Sequence, residues 1–326
     1  MTADFHGPIA DGFIRFVAHK RALGRNYHTE EKALQLFDRY LGHQGIIDSS
    51  KVTPEVVEAF LASRPREMPR SYNHLLGVLS RCFTWLVVQG LLDASPVRGR
   101  PRRATRQRVP FLFDRTQARR LLQVAAELPD NSRAVQRGLT YRMIFALLYG
   151  LGLRVGEVAR LYRNDVDLQN SLLVIRHTKF SKSRLVPFGP RMAQSLRDYI
   201  RDREQYMGAF SPESPLFSFT KGRGLHPGTI SQTFHALVPR LDLAIPAGVT
   251  PPRAHDLRHS FAVGTLSRWY RTGSEPAQRL HHLSTFLGHV QPESPAVYLT
   301  ITQDLLQQAS NRFAEFSASA LKEVKS

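Results

Sequence analysis

The chain has 326 residues, long enough for two separate hydrophobic cores. Lysine and arginine number 45 against 27 aspartates and glutamates, a formal net charge of +18 that points to a polyanionic partner, nucleic acid first among them. A single cysteine, Cys82, excludes an internal disulfide and a cysteine-rich zinc site, and no apolar run is long enough to span a bilayer.

The N-terminus, Met1-Thr2-Ala3-Asp4-Phe5-His6-Gly7-Pro8, lacks the basic-then-apolar pattern of a secretion signal, so a cytoplasmic, reducing setting is expected. Residues from about 8 to 95 read as four short amphipathic helices. Ile9, Phe13, Phe16 and Val17 recur at helical spacing until Gly24. Tyr27, Leu34, Phe37 and Leu41 line a second helix that Gly42 ends. Pro54 opens a third, with Val57, Phe60 and Leu61 facing inward. Ser71 is the expected cap of a fourth, striped by Leu75, Leu76, Leu79, Phe83, Leu86 and Val87 and ended near Gly90. Cys82 falls in that apolar pattern and reads as core.

Between Arg98 and Arg108 the composition changes. Arg98, Arg100, Arg102, Arg103, Arg106 and Arg108 occur with no acidic residue among them, and Pro96, Pro101 and Pro110 keep the segment extended. A solvated linker is the plain reading. Uncompensated guanidiniums repel one another, which favours a strap across a DNA backbone.

A second domain begins near Phe111. Asp114 or Thr116 caps a helix through Leu121, Leu122 and Ala125, and Thr140 to Tyr149 is a helix buried on nearly all sides. Gly150 and Gly152 break the chain, and Arg154 sits where a helix from Val155 to Leu161 starts. Leu172 to Arg176 and Leu185 to Pro187 form a hairpin around a polar turn holding Lys179 and Lys182. Pro190 opens a long helix to Tyr206, Leu216 to Phe219 reads as a further short strand, and Pro227 to Leu241 as a helix. Leu257, Phe261, Ala262 and Leu266 face inward on a helix from Asp256 to Trp269. Another helix reaches Leu287, and Gly288 ends it.

Chemistry gathers in the last quarter. His255-Asp256-Leu257-Arg258-His259 is followed by Leu287-Gly288-His289 and then by Tyr298. Leu151-Gly152-Leu153-Arg154-Val155-Gly156-Glu157 and Thr178-Lys179-Phe180 add a glycine-flanked arginine and a turn lysine. Each residue alone says little: a lone histidine is usually structural, a lone tyrosine usually packing. Together they supply cationic donors, a proton acceptor and a hydroxyl nucleophile, which attack on a DNA phosphodiester requires.

In this order and spacing the chain resembles the tyrosine recombinases of the phage integrase family, similar to the Xer recombinases and to integrases of mobile elements. The resemblance runs through Thr140 to Leu161, Val174 to Pro187, His255 to Ala262 and Leu287 to Leu299, and the nine positions from His289 to Tyr298 agree with the family pattern. It implies a mainly α fold with a small β-sheet. Residues 1–97 would be a helical core-binding (SAM-like) domain, 98–110 a basic linker, and 111–326 a mixed α/β catalytic domain ending in an interaction helix.

The roles that the resemblance implies follow phosphate chemistry. Arg154 and Arg258 grip the non-bridging oxygens, Tyr298 attacks phosphorus, and His255 accepts its proton. Lys179 protonates the departing 5′ oxygen, with Lys182 as the alternative, and His289 donates a hydrogen bond to the phosphate. Glu157 and Asp165 brace the site. No cofactor or metal is expected. The expected partner is double-stranded DNA, bound by a homotetramer on paired sites, with other recombinases as further candidate members and no membrane. The segment Thr302 to Leu321 would link the subunits, and localisation would be cytoplasmic and nucleoid-associated. The basic architecture suggests a mobile element over a housekeeping resolvase. Thirty-one positions separate Arg258 from His289, longer than in compact Xer members, with the extra residues around Trp269 to His282. The alternatives are a type IB topoisomerase-like relaxase and a catalytically silent DNA-binding protein.

Overall fold

Short apolar stripes punctuated by proline and glycine build the N-terminal helices α1 (Ala10–Ala22), α2 (His28–His43), α3 (Pro54–Ala62) and α4 (Pro69–Val88). The computed structural model describes residues 5–103, 109–176, 183–209, 211–220, 222–272 and 276–288. The chain divides into two compact units, Met1–Gln107 and Arg108–Ser326.

In the first unit the stripes meet in an aromatic centre. Phe37 lies 4.9 Å from Phe60, 5.9 Å from Phe83 and 6.4 Å from Phe13, centroid to centroid, in tilted or edge-on pairs that suit the ring quadrupoles. Cys82 is fully buried beside them, and burial pushes its thiol above the usual range. The Asp38 carboxylate accepts from the backbone N–H groups of His6 and Gly7, fastening the N-terminal entry to α2. Helix α4 starts at Pro69, two residues before Ser71. A proline at the first helical position after an extended Met68 sets that start, and the Ser71 hydroxyl accepts from Arg66 Nη1 at 2.7 Å instead of capping.

The arginine-rich segment enters this unit. Asn73 of α4 pairs both ways with the Arg102 backbone, at 2.7 and 2.8 Å, and the Arg102 guanidinium lies 4.0 Å over the Tyr72 ring while donating to Arg66 O. Arg102 therefore anchors the segment to α4. Arg98, Arg100 and Arg103 are exposed, and Arg106 and Arg108 lie outside the described residues.

The second unit contains α5 (Arg115–Ala126), α6 (Arg137–Gly150) and α7 (Val155–Ala159). Strands β1 (Val166–Asp167), β2 (Leu172–Ile175) and β3 (Arg184–Pro187) follow, then α8 (Pro190–Met207), α9 (Pro227–Leu237), α10 (Asp256–Arg271) and α11 (Pro276–Leu287). Asp114 caps α5 in a reciprocal box with Gln117, leaving Thr116 inside the helix. Helix α6 buries Tyr141, Ile144, Phe145, Leu147 and Leu148 and is the spine of the core. The sheet is antiparallel in the order β1-β2-β3, with Leu173 opposite both Val166 and Val186. The fold is thus mainly α with a small sheet.

Several places in the second unit differ from the sequence reading. Leu216 to Phe219 forms no strand: Leu216 and Phe217 are buried, but Leu216 N–H donates to Leu161 O and its carbonyl accepts from Tyr199 Oη. Helix α9 stops at Leu237 and continues as a tighter 3-10 turn, Val238–Leu241, because Pro239 has no N–H to extend the α ladder. Helix α7 ends at Ala159. Among the described residues no helix is long and apolar enough to cross a membrane.

Candidate active site

The turn between α6 and α7 is built around Gly152, at φ +61°. A β-carbon there would lie 2.5 Å from the Phe261 ring and 2.9 Å from Leu287, so both the backbone angle and the space demand glycine. The turn delivers Arg154 in extended conformation to the start of α7. Glu157, one turn on, accepts the Arg154 backbone N–H at 2.9 Å and Arg154 Nη1 at 2.7 Å. Arg154 Nη2 donates to Gly288 O at 2.8 Å. Among the described residues these bonds use two of the five N–H donors of the guanidinium, and its side chain keeps 31% of its surface open.

Helix α10 carries the second arginine. Arg258 is only 1% exposed and donates from Nη1 to Gly152 O and from Nη2 to Leu287 O, each at 2.6 Å. It is buried, whereas Arg154 is partly exposed. Asp256, fully buried, accepts from the Arg253 backbone and guanidinium and fixes the helix start. Ser260 donates to Asp256 O and accepts from Phe113 N–H, tying α10 to the extended entry of the unit.

His255 stands just before α10, its ring 4.8 Å from that of His259 and edge-on to it. The residue keeps a face open to solvent. The protein packed around the ring, then His259, Arg258 and Arg253, push its pKa down to about 4, against a smaller upward pull from Asp256. The imidazole is therefore neutral at physiological pH and can accept a proton. In an NMR titration of the free protein, the His255 ring resonances should shift with a midpoint well below the ordinary imidazole value of about 6.5. A midpoint at that ordinary value would remove the case for a neutral ring held among cations. The same shift makes acid destabilising here. Between the unfolded value and about 4 the unfolded chain binds the proton and the folded one does not, so stability present above that window declines as pH falls through it.

The elements converge on the last turn of α11. Its final carbonyls, Phe286 O and Leu287 O, accept from Arg184 Nε and Arg258 Nη2, and Gly288 O, just past its end, accepts from Arg154 Nη2. A helix C-terminus presents unsatisfied carbonyls and the negative end of its dipole, which guanidiniums satisfy. Gly288, at φ +66°, ends the helix in left-handed backbone.

Of the residues singled out in the sequence, Arg154 and Arg258 are brought together at this point, and His255 lies within range of the Arg258 charge. Lys179, Lys182, His289, Tyr298 and the segment Thr302 to Leu321 lie outside the described residues. Glu157 joins two guanidiniums, and Asp165 accepts from Arg176 at the base of the hairpin. Arg184 is the participant that sequence reasoning missed. Its signal was alternation: Arg184 shares a strand face with Val186, which is fully buried, and an inward arginine needs a partner.

Residues 112–303 match the model of the phage integrase family. The putative integrase/recombinase y4rB of Sinorhizobium fredii is 34% identical over 91% of this chain and 94% of its own length. Among solved structures, the Tn1549 transposon integrase in complex with a circular intermediate DNA has a TM-score of 0.64 at 16% identity, covering 94% of this chain and 100% of that one. A lambda integrase tetramer bound to a Holliday junction has a TM-score of 0.58 at 18% identity, covering 87% of this chain and 78% of that one. These structural likenesses show the fold, while the family match and the coverage of the bacterial relative establish kinship: the chain belongs to the phage integrase family of tyrosine recombinases.

Proposed function

We propose that this protein is a site-specific DNA recombinase that cleaves and rejoins strands through a 3′-phosphotyrosyl intermediate. The observation that carries the reading is the meeting of Arg154 and Arg258, distant in sequence, on the end of one helix, with His289 next in the chain and Tyr298 nine positions further on. A planar guanidinium stays charged, so the partly exposed Arg154 suits contact with a phosphate gaining charge as it becomes pentacoordinate, while the buried Arg258, its Nη1 and Nη2 donating to carbonyls, adds fixed positive charge behind it.

The phenolic oxygen of Tyr298 attacks phosphorus while neutral His255 takes its proton. The bond from phosphorus to the 5′ oxygen breaks, and Lys179 protonates that oxygen. The products are a 3′-phosphotyrosyl link and a free 5′ hydroxyl. Attack by a 5′ hydroxyl of another strand reverses each step, so exchange needs no external energy source. The charge of +18 and the exposed Arg98, Arg100 and Arg103 fit a footprint along the DNA backbone, extended by Arg106 and Arg108. By analogy with the lambda integrase tetramer, the assembly is a homotetramer on paired sites, linked by the segment Thr302 to Leu321 and belonging to a mobile element.

The test is a nicked suicide duplex carrying the DNA that flanks the protein's own gene. Cleavage should trap a covalent adduct, and mass spectrometry should find the nucleotide on the peptide containing Tyr298. DNA attached to another residue, or binding with no adduct, would refute the mechanism.

A further inference from the structure

We propose that Arg184 is a positioning residue for strand cleavage: one guanidinium fixes Glu157 and the last turn of α11 together, and so sets where Arg154 and the chain entering His289 meet the phosphate. The proposal rests on the recombinase reading above and assigns Arg184 no contact with DNA.

The geometry is specific. Arg184 Nη1 and Nη2 donate to the two oxygens of Glu157 at 2.8 and 3.0 Å, and Nε donates to Phe286 O at 2.9 Å. The same carboxylate accepts Arg154 Nη1 on one oxygen and the Arg154 backbone N–H on the other. Four donors therefore meet one carboxylate, about as many as its lone pairs accommodate. Glu157 is 2% exposed at its side chain and Arg184 11%. Burial alone would push the Glu157 carboxyl up. The hydrogen bonds and charges of Arg184 and then Arg154 outweigh it and hold the group at about 2, so the cluster stays ionised at any pH where the protein works.

Arg184 also joins three elements remote in sequence. It opens β3, the strand that follows Lys179 and Lys182 in sequence, and it reaches both α7 and α11. A β-carbon at residue 288 would lie 2.8 Å from its Nη1, so the Gly288 backbone passes directly across the guanidinium. With Glu157 facing Arg154 alone, the carboxylate would be free to turn and neutralise it. Shared with Arg184, it holds Arg154 in one orientation and leaves net positive charge for an anion. Lysine cannot reproduce this, because a single ammonium does not offer a planar fork plus a third donor to a carbonyl.

The test compares Arg184→Lys and Arg184→Ala with wild type in single-turnover cleavage of the suicide duplex at saturating protein, with DNA affinity measured in parallel. Both variants should cleave about 100-fold more slowly, the scale of a small misplacement in a reacting site, with affinity changed by less than about 3-fold. In a Glu157→Gln background, Arg184→Lys should cost less than about 5-fold more, because both act through one unit. Should the alanine variant fail to fold, the lysine variant decides. Wild-type cleavage by Arg184→Lys, losses that multiply in the double variant, or a cleavage loss that merely follows DNA affinity would each overturn the assignment. A wild-type adduct on Tyr298 beside any of those outcomes leaves the recombinase reading standing. No adduct from the wild type sinks both.

Discussion

Tyr298→Phe is expected to leave DNA affinity within about 2-fold and to lower covalent adduct formation by at least ~10⁴-fold, below detection on a gel. Phenylalanine keeps the ring and removes only the oxygen that would bond to phosphorus. The described part of the site offers guanidiniums and a neutral imidazole, which polarise a phosphate and accept a proton but cannot form the ester. The hydroxyl nearest in sequence to Arg258 is that of Ser260, which is buried, donates to Asp256 O and accepts from Phe113 N–H. It is committed to structure. Covalent capture of DNA by the Tyr298→Phe variant would mean that another side chain is the nucleophile, and the mechanism would have to be abandoned.

The second large effect belongs to Arg258→Ala, which should act on stability and on rate together. The truncation leaves Gly152 O and Leu287 O, both in buried residues, without the guanidinium that donates to them. Each orphaned group costs about 1–3 kcal/mol. Chemical denaturation should therefore show the second unit destabilised by roughly 2–6 kcal/mol. Cleavage per folded molecule should fall a further ~10²–10³-fold, the usual cost of deleting one donor to a charge developing in the transition state. Scaling the rate to the folded fraction separates the two. Full recovery of wild-type cleavage after that correction would make Arg258 a framework residue only.

Much of this arrangement could be read from the chain, for identifiable reasons. Pro54, Pro190 and Pro227 each open a helix at its first residues, where a missing N–H costs nothing, and their positions set those boundaries. Gly152 and Gly288 stood out as breaks, and both occupy left-handed backbone beside an arginine–carbonyl bond. Misreadings occurred where local pattern is blind. A buried apolar run such as Leu216 to Phe219 looks the same in a strand and in an irregular segment packed on Tyr199. Strand β1, at two residues, is too short to show any period. Ser71 has a capping side chain, but Pro69 had already started the helix. Arg102 read as one guanidinium among six, whereas its stacking on Tyr72 and pairing with Asn73 depend on α4 lying alongside. The arginine cluster around Glu157 draws on α7, β3 and α11, and no spacing rule links β3 to the end of α11.

The placement of Cys82 has a practical corollary. Alkylating reagents react with thiolates, and this sulfur is sealed inside the aromatic centre of the first unit with its ionisation suppressed. Since the protein has no other cysteine, a thiol introduced on either unit's surface would be the one a maleimide dye or spin label meets. The native chain is thus a ready background for attaching paired probes and following movements within the protein, with no prior cysteine removal.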